Sequence, residues 1–288
     1  MTMPVRCDAQ PFAGPLASRL REPREGLCLY WLGQAGFLIR GAGLTLLIDA
    51  YLSDSLAEKY RGKPLPHRRM MPAPIAVQDL PPIDLVLCSH AHTDHMDPGT
   101  LQPLLALQPQ ARVVAPRAKR AEAMARGGVT DDRVLAIEAG ESLFPLSGLT
   151  LRALRAAHET LERDEDGLHL FLGYGMSVAG VTVFHSGDSI PFPGQIADVQ
   201  ALGADLALLP VNGRSPALAA QRVPGNFLLG EAIALTEAAA IPTMIAHHFD
   251  MFDFNTLPRA EIEAAAAKSD LPIQLLPAST GMEYRLAP

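Results

Sequence analysis

Residues 83–97 read IDLVLCSHAHTDHMD. The opening IDLVL has the composition of a short buried strand. The chain then leaves that strand and presents His90, His92, Asp94 and His95 within one short loop. Imidazole nitrogens and carboxylate oxygens are donors that Zn²⁺, Fe and Mn²⁺ accept. In H-x-H-x-D-H, His90 and His92 can grip one ion together. The side chains of the adjacent Asp94 and His95 diverge and can serve a second ion. The chain has nine histidines among 288 residues, so three so close together argue for a metal centre over a polar surface loop.

One loop cannot close two sites, because each ion needs about four ligands. Later candidates stand at predicted strand ends, where side chains from different strands converge on one edge. His158 ends LRALRAAHE, Asp188 follows VTVFHSGDS, and His247 and His248 close TMIAHHFD. A carboxylate can bridge two cations with its two oxygens, and the Ser186-Gly187 turn brings Asp188 close. His185, still inside its strand, is expected to pack or to support a ligand. His169, after the turn RDEDG, is expected to be solvated. His67 is expected to face substrate or water. Cys88, two residues before His90, reads as a small buried side chain.

Around this centre the apolar runs predict strands at Leu27–Trp31, Phe37–Arg40, Leu44–Ile48, Ile83–Ser89, Arg112–Ala115, Leu149–Ala156, Leu170–Ser177, Val181–His185, Ala204–Pro210, Thr243–His247, Ile273–Pro277 and Met282–Leu286. Helical spacing marks Thr100–Leu107, Ala118–Arg126, Gly194–Leu202, Leu229–Ala240 and Arg259–Lys268. Strands come first, then helices and strands interleave. That order suits an α+β protein of two face-to-face sheets with helices outside. Residues 1–26 read as an irregular arm and 27–288 as one domain. Residues 52–75, LSDSLAEKYRGKPLPHRRMMPAPI, form a long excursion that starts helix-like and turns Pro-rich and basic. Its Arg61, Lys63, Arg68 and Arg69, with Arg214 after ALLPVN, are candidate clamps for phosphate or carboxylate. Met70 and Met71 suggest that part of the excursion sits on something apolar.

The formal net charge is −7, which speaks against a nucleic-acid partner. Cys7, Cys28 and Cys88 have no paired spacing, so neither a disulfide framework nor a thiolate site is expected. The N-terminal stretch lacks the apolar core of a secretory signal, and no run is apolar enough to span a membrane. A cytoplasmic protein acting on a small molecule is the expectation.

The sequence resembles the metallo-β-lactamase superfamily. The resemblance rests on WLGQAGFLIRG, LTLLIDA, the His90–His95 motif, AAHE, HSGD and IAHHFD, in that order. It implies a four-layer αββα sandwich of two mixed β-sheets, with the site at one edge. Carried over by position, His90, His92 and His158 hold one metal. Asp94, His95 and His248 hold the other, and Asp188 bridges. The pattern I-P-x-H laid on Ile245–His248 selects His248 over His247. Asp49 corresponds to a supporting aspartate. The HSGDS segment, the IAHHFDMF ending and the basic excursion look most like the ascorbate-6-phosphate lactonase-like branch, which also suggests a homo-oligomer.

Two divalent ions, Zn or Mn with Fe also compatible, would activate water without a protein nucleophile. Asp94 is the candidate proton acceptor. Three readings follow. One is a hydrolase of a lactone or carboxylic ester of a small anionic metabolite. Another is a phosphodiesterase on a small diester. The third is a non-hydrolytic redox or regulatory metal protein.

Overall fold

The computed structural model describes Val5 and residues 7–287. A first sheet takes β1 (Cys7–Pro11), β2 (Leu27–Gly33), β3 (Gly36–Gly41), β4 (Leu44–Ile48), β5 (Leu85–Leu87), β6 (Arg112–Pro116) and β7 (Val134–Ile137). A second takes β8 (Ser142–Leu146), β9 (Leu149–Arg155), β10 (Leu172–Val178), β11 (Val181–His185), β12 (Leu206–Pro210), β13 (Thr243–His247) and β14 (Gln274–Pro277). The last strand, β15 (Met282–Leu286), returns to the first sheet. The strand orders are β1-β15-β2-β3-β4-β5-β6-β7 and β14-β13-β12-β11-β10-β9-β8. Both sheets are mixed. The β2–β3–β4 meander is antiparallel and β4–β5–β6–β7 parallel. The β8–β9–β10–β11 part is antiparallel and β11–β12–β13–β14 parallel.

Strand alternation builds the layers. Leu27, Leu29 and Trp31 of β2 share one apolar cluster with Leu151, Tyr174 and Val183 of the other sheet. Cys28, Tyr30 and Leu32 face a separate cluster. Phe37 and Ile39, Leu46 and Ile48, and Leu85 and Leu87 point inward, while Leu38, Leu47 and Val86 point outward. Strands buried on both faces carry no polar alternation, which is why they read as continuous apolar runs. The outward cluster is closed by α1 (Leu16–Arg19), α3 (Pro98–Leu107) and α4 (Arg120–Gly127). On the second sheet α5 (Gln195–Gln200), α7 (Leu229–Ala238) and α8 (Arg259–Ala266) do the same. The short helices α2 (Ser55–Lys59) and α6 (Pro216–Ala219) lie in connections. The result is the expected αββα sandwich.

Three local expectations change. The stretch expected as an irregular arm contains β1, which pairs antiparallel with β15 over Cys7↔Leu286 to Pro11↔Met282. Gln274 clamps it, accepting from Cys7 N–H at 3.2 Å and donating to the Cys7 carbonyl at 2.8 Å. Glu283 of β15 accepts from Arg19, Arg24 and the Tyr30 hydroxyl, tying α1 down. The strand CDAQP escapes notice because its only long-range signal is a partner at the far end of the chain. The strands β7 and β8 lie outside the predicted apolar runs as well; β8 is an edge strand with Phe144 exposed. His169 is buried, not solvated, because Glu138 accepts from its Nδ1–H.

Candidate metal centre

The candidate ligands all leave the same edge of the sandwich. Asp49 follows β4, His90–His95 follow β5, His158 follows β9, Asp188 follows β11 and His248 follows β13. The β2–β3 turn at Gly33–Gly36 lies at that edge too, because Phe37 pairs with Ile48. Leu172 N–H donates to the Ser89 carbonyl at 3.0 Å, which joins the sheets beside the site. Three of these positions need left-handed backbone without being glycine: Gln34 at φ 50°, Asp49 at φ 45° and His248 at φ 67°. Such conformations cost about 1–3 kcal/mol each and persist where surrounding structure enforces them. Here a hydrogen bond from His248 N–H to the Gln34 carbonyl, 3.0 Å, links two of the three.

The seven predicted residues come together. Ligand atoms of His90, His92 and His158 lie within 4.8 Å of one another, as do those of His90, His95 and Asp188, and those of Asp94, His95 and His248. Asp188 sits between the groupings. Its Oδ2 is 3.3 Å from His95 Nε2 and 3.6 Å from His158 Nε2, and its Oδ1 is 3.3 Å from His248 Nε2. His248, and not His247, faces the centre. His247 points into the core, with rings of His185 and Phe37 at 5.1 and 5.4 Å. His185 is braced by its Nε2–H to the Ala35 carbonyl, 2.9 Å, and accepts the Gly187 N–H at Nδ1, 3.0 Å.

A buried relay aims the imidazoles. Asp49 accepts from Ser89 N–H at 2.7 Å, from the Ser89 hydroxyl at 2.5 Å and from His95 Nδ1–H at 2.8 Å. The Ser89 oxygen in turn accepts from His90 Nδ1–H at 2.9 Å. With Nδ1 engaged in both rings, each Nε2 is directed at the centre. The Nε2 atoms of His90, His95 and His248 and the Oδ1 of Asp188 are buried without a hydrogen-bond partner. Unsatisfied buried groups are costly, and these four, spread over two overlapping ligand groupings, are what divalent cations would satisfy. The donor set therefore fits divalent metal.

Electrostatics sort the ligands in the metal-free protein. Burial, reinforced by neighbouring imidazoles, holds His90 well below the usual histidine value. Burial also lowers His92, and it takes His158 down to about 4. These rings are neutral and ready to coordinate at pH 7. His95 goes the other way: burial opposes its charge, but Asp188, Asp49 and Asp94 outweigh that and raise it well above the usual value. Asp188 is held well below the carboxylate range by His248 and His95 despite its burial, and Asp94 is lowered despite burial by the same two histidines.

Above the centre lies a cavity of about 560 Å³. Its floor carries His92, the most exposed candidate ligand, with Asp94, His158, Asp188 and His248. Its walls come from the 52–75 excursion, the 221–224 segment and the loop after β13. That size suits a small molecule. Of the basic candidates, Arg69 holds the excursion in place: it donates to the carbonyls of Tyr51 and Met71 at 2.8 and 3.1 Å and lies over the Tyr51 ring. Arg214 is committed to Glu231 at 2.6 and 2.7 Å. Neither lines the cavity, and Arg61, Lys63 and Arg68 do not either. The cations that do are Lys59, Arg126 and Arg222. The Met71 side chain packs on the core as expected, while Met70 is exposed and tied by its N–H to the Met251 carbonyl, 2.9 Å.

A family model described as "Beta-lactamase superfamily domain" matches residues 45–249. The chain belongs to the metallo-β-lactamase superfamily. A "UPF0173 metal-dependent hydrolase" of Opitutus terrae is 31% identical over 192 residues, covering 64% of this chain and 71% of that one. A namesake from Methanosarcina mazei is 24% identical over 268 residues, covering 87% and 95%. Among solved structures, an isothiocyanate hydrolase from Delia radicum gut bacteria superposes with a TM-score of 0.69 at 18% identity, covering 89% of this chain and 98% of the other. The superfamily assignment carries metal-dependent hydrolase character with it.

Further residues that contact the candidate site or line its cavity carry little or no local sequence signal. Gln34 donates from Nε2 to Asp94 Oδ2 at 2.7 Å; only the loop GQAG in the β2–β3 hairpin could have hinted at it. Asp97 closes the metal motif and caps α3. It also accepts from Ser53, Ser55 and Thr100, fastening the excursion to the motif. Phe171 backs His90, His92 and His158 with ring centroids at 5.0, 5.6 and 5.4 Å. Arg222 has no sequence signal beyond its charge. Cys88 is fully buried in the helix-side cluster, and burial pushes its thiol well up, so it stays a packing residue.

Proposed function

We propose that the protein hydrolyses a lactone or related carboxylic ester of a small anionic metabolite, using two divalent ions, as in the lactonase-like branch that its motifs resemble. The reading rests on one observation above others: the unpartnered Nε2 atoms of His90, His95 and His248 and Asp188 Oδ1 converge beneath a cavity of small-molecule size. His90, His92 and His158 would hold one ion, Asp94, His95 and His248 the other, and Asp188 would bridge. When bound, such ions lower the pKa of water toward neutrality and polarise the acyl oxygen.

The protein groups do the rest. Asp94 takes up the proton of the attacking water, and Gln34 keeps its carboxylate in position. Asp49 holds His95 through Nδ1, and Ser89 holds His90. The excursion and the 221–224 segment limit the access of bulk water. Lys59 and Arg222 face the cavity, whose lining carboxylates among the described residues are Asp94 and Asp188. With both of those committed at the floor, an anionic substituent is drawn to the rim. Zn and Mn both suit this nitrogen and oxygen donor set. The three free, buried cysteines are compatible with a cytoplasmic, reducing setting. Among the described residues, no helix is long and apolar enough to cross a membrane.

The test is elemental analysis of protein purified without added metal, followed by a panel of lactones, carboxylic esters and aryl phosphodiesters. Ring opening or ester cleavage that disappears in His90→Ala is the expected result. Turnover of phosphodiesters alone would replace the proposal with the diesterase reading. No turnover by a metal-replete sample would remove hydrolysis altogether.

A further inference from the structure

His67 stands in the basic excursion and lines the same cavity. It is boxed by aromatic rings from two chain segments. Tyr60 stacks on it at 4.0 Å and 22°, and Phe252 and Phe254 meet it edge-on at 5.0 and 4.8 Å. Its Nδ1 is 2.9 Å from the Leu65 carbonyl. A carbonyl only accepts, so Nδ1 carries the proton, and in the neutral ring Nε2 is left with a lone pair. Nε2 has no partner among the described residues, yet it is not among the atoms sealed from solvent. Burial lowers the His67 pKa, opposed by the Leu65 bond and by Asp94 and reinforced by Lys59. The ring is therefore neutral at pH 7. It lines the same cavity as Asp94 and other candidate ligands.

Nε2 is thus a fixed, uncharged acceptor on the wall of a cavity whose carboxylates, Asp94 and Asp188, lie at the floor and whose rim carries the cations Lys59 and Arg222. The Nδ1 bond and the ring packing account for how His67 fastens the excursion, and neither uses Nε2. We propose that His67 is a specificity-determining residue that reads a hydroxyl or amide N–H on the substrate, accepting its hydrogen bond at Nε2 while the surrounding rings contact an adjacent flat or apolar group. The inference rests on this cavity being the substrate site of the proposed hydrolase. It narrows the substrate to an ester or lactone that carries a hydrogen-bond donor away from the reacting carbonyl.

The test uses matched probes on the metal-loaded full chain: phenylacetate against 3- and 4-hydroxyphenylacetate for binding by calorimetry, and their methyl esters for turnover. One neutral hydrogen bond corresponds to about fivefold in affinity. Wild type is expected to favour at least one hydroxylated acid by about that factor, and His67→Phe, which keeps the aromatic box, to bring the ratio to about one. The His67 Nε2 ¹⁵N resonance of wild type should move with the hydroxylated acid and not with phenylacetate, which decides the matter even if the variant folds poorly. A ratio near one in wild type, or a ratio that survives His67→Phe, overturns the inference. Failure to cleave either methyl ester counts against the hydrolase reading, and the binding ratio still decides the role of His67.

Discussion

Replacing Asp49 by Asn probes the candidate metal centre through a residue outside the proposed ligand set. The carboxylate is fully buried and accepts three hydrogen bonds, from Ser89 N–H, the Ser89 hydroxyl and His95 Nδ1–H. Asn has the same shape and is among the residues that tolerate a positive φ, so the φ of 45° at this position adds no new strain; Ala would confound the result there. The amide oxygen can keep the position of Oδ2, but its NH₂ then confronts the Ser89 N–H, donor against donor. One charge-assisted hydrogen bond is lost and a buried N–H is left unpaired, which together amount to about 2–4 kcal/mol of fold stability. The imidazole of His95 also loses its anionic partner, and loss of such outer partners weakens metal binding about 10–100-fold. Competition against a chelator of known affinity measures the second effect, and thermal unfolding with and without metal measures the first. Metal affinity within about twofold of wild type, with unfolding lowered as expected, would refute the relay and reduce Asp49 to a folding residue.

Other consequences follow from the same geometry. Metal binding at pH 7 should release protons, because the raised His95 must give up its Nε2 proton to coordinate; calorimetry in buffers of different ionisation enthalpy reads this directly. In chelator the His95 contribution to stability is complete below about pH 6.5 and is lost as pH rises through its raised folded value. The Asp188 and Asp94 contributions are present above about pH 3.9 and are lost as pH falls through their depressed values. The lowered values of His90, His92 and His158 add a loss of stability as pH falls below about 6.5, where the unfolded rings take up protons that the buried ones resist. Metal-free protein should therefore be most stable near about pH 6.5 and lose stability on both sides, whereas unchanged stability on acidification from about pH 7 to 5 would contradict the assignment. Gln34→Met should leave the fold intact and lower kcat about tenfold, since a hydrogen bond to a charged acceptor contributes about 1.5–3 kcal/mol; unchanged steady-state kinetics would remove Gln34 from the mechanism. Gly187→Ala should cost at least about 1–3 kcal/mol and the metal with it. The φ at Gly187 is +61°, and a Cβ there would stand 2.5 Å from the Leu172 carbonyl oxygen and 2.9 Å from Ser89 Cβ. Normal metal content in that variant would show that the Asp188 turn can shift freely.

The sequence alone determined the candidate ligands and the layering of the fold. His90–His95 are dense in one loop, and His158, Asp188 and His248 each close an apolar run, so local composition and strand endings sufficed to nominate them. The two-sided burial of β2 to β6 likewise shows as continuous apolar residues. What local signals did not carry was decided by tertiary structure. β1 exists because β15 offers it an open edge from the other end of the chain. Arg69 and Arg214, which look like clamps when read as charges, are taken up by the Tyr51 and Met71 carbonyls and by Glu231. Lys59 and Arg222, indistinguishable from them in sequence, reach the cavity. His247 and His248 differ by one position. The strand directs His247 into the core against His185 and Phe37, and a left-handed residue after the strand end swings His248 to the metal edge. Ligand identity is a property of residue type and local spacing, which the chain writes in order. Which charge is free and which way a ring points depends on partners brought from distant segments, and only packing supplies those.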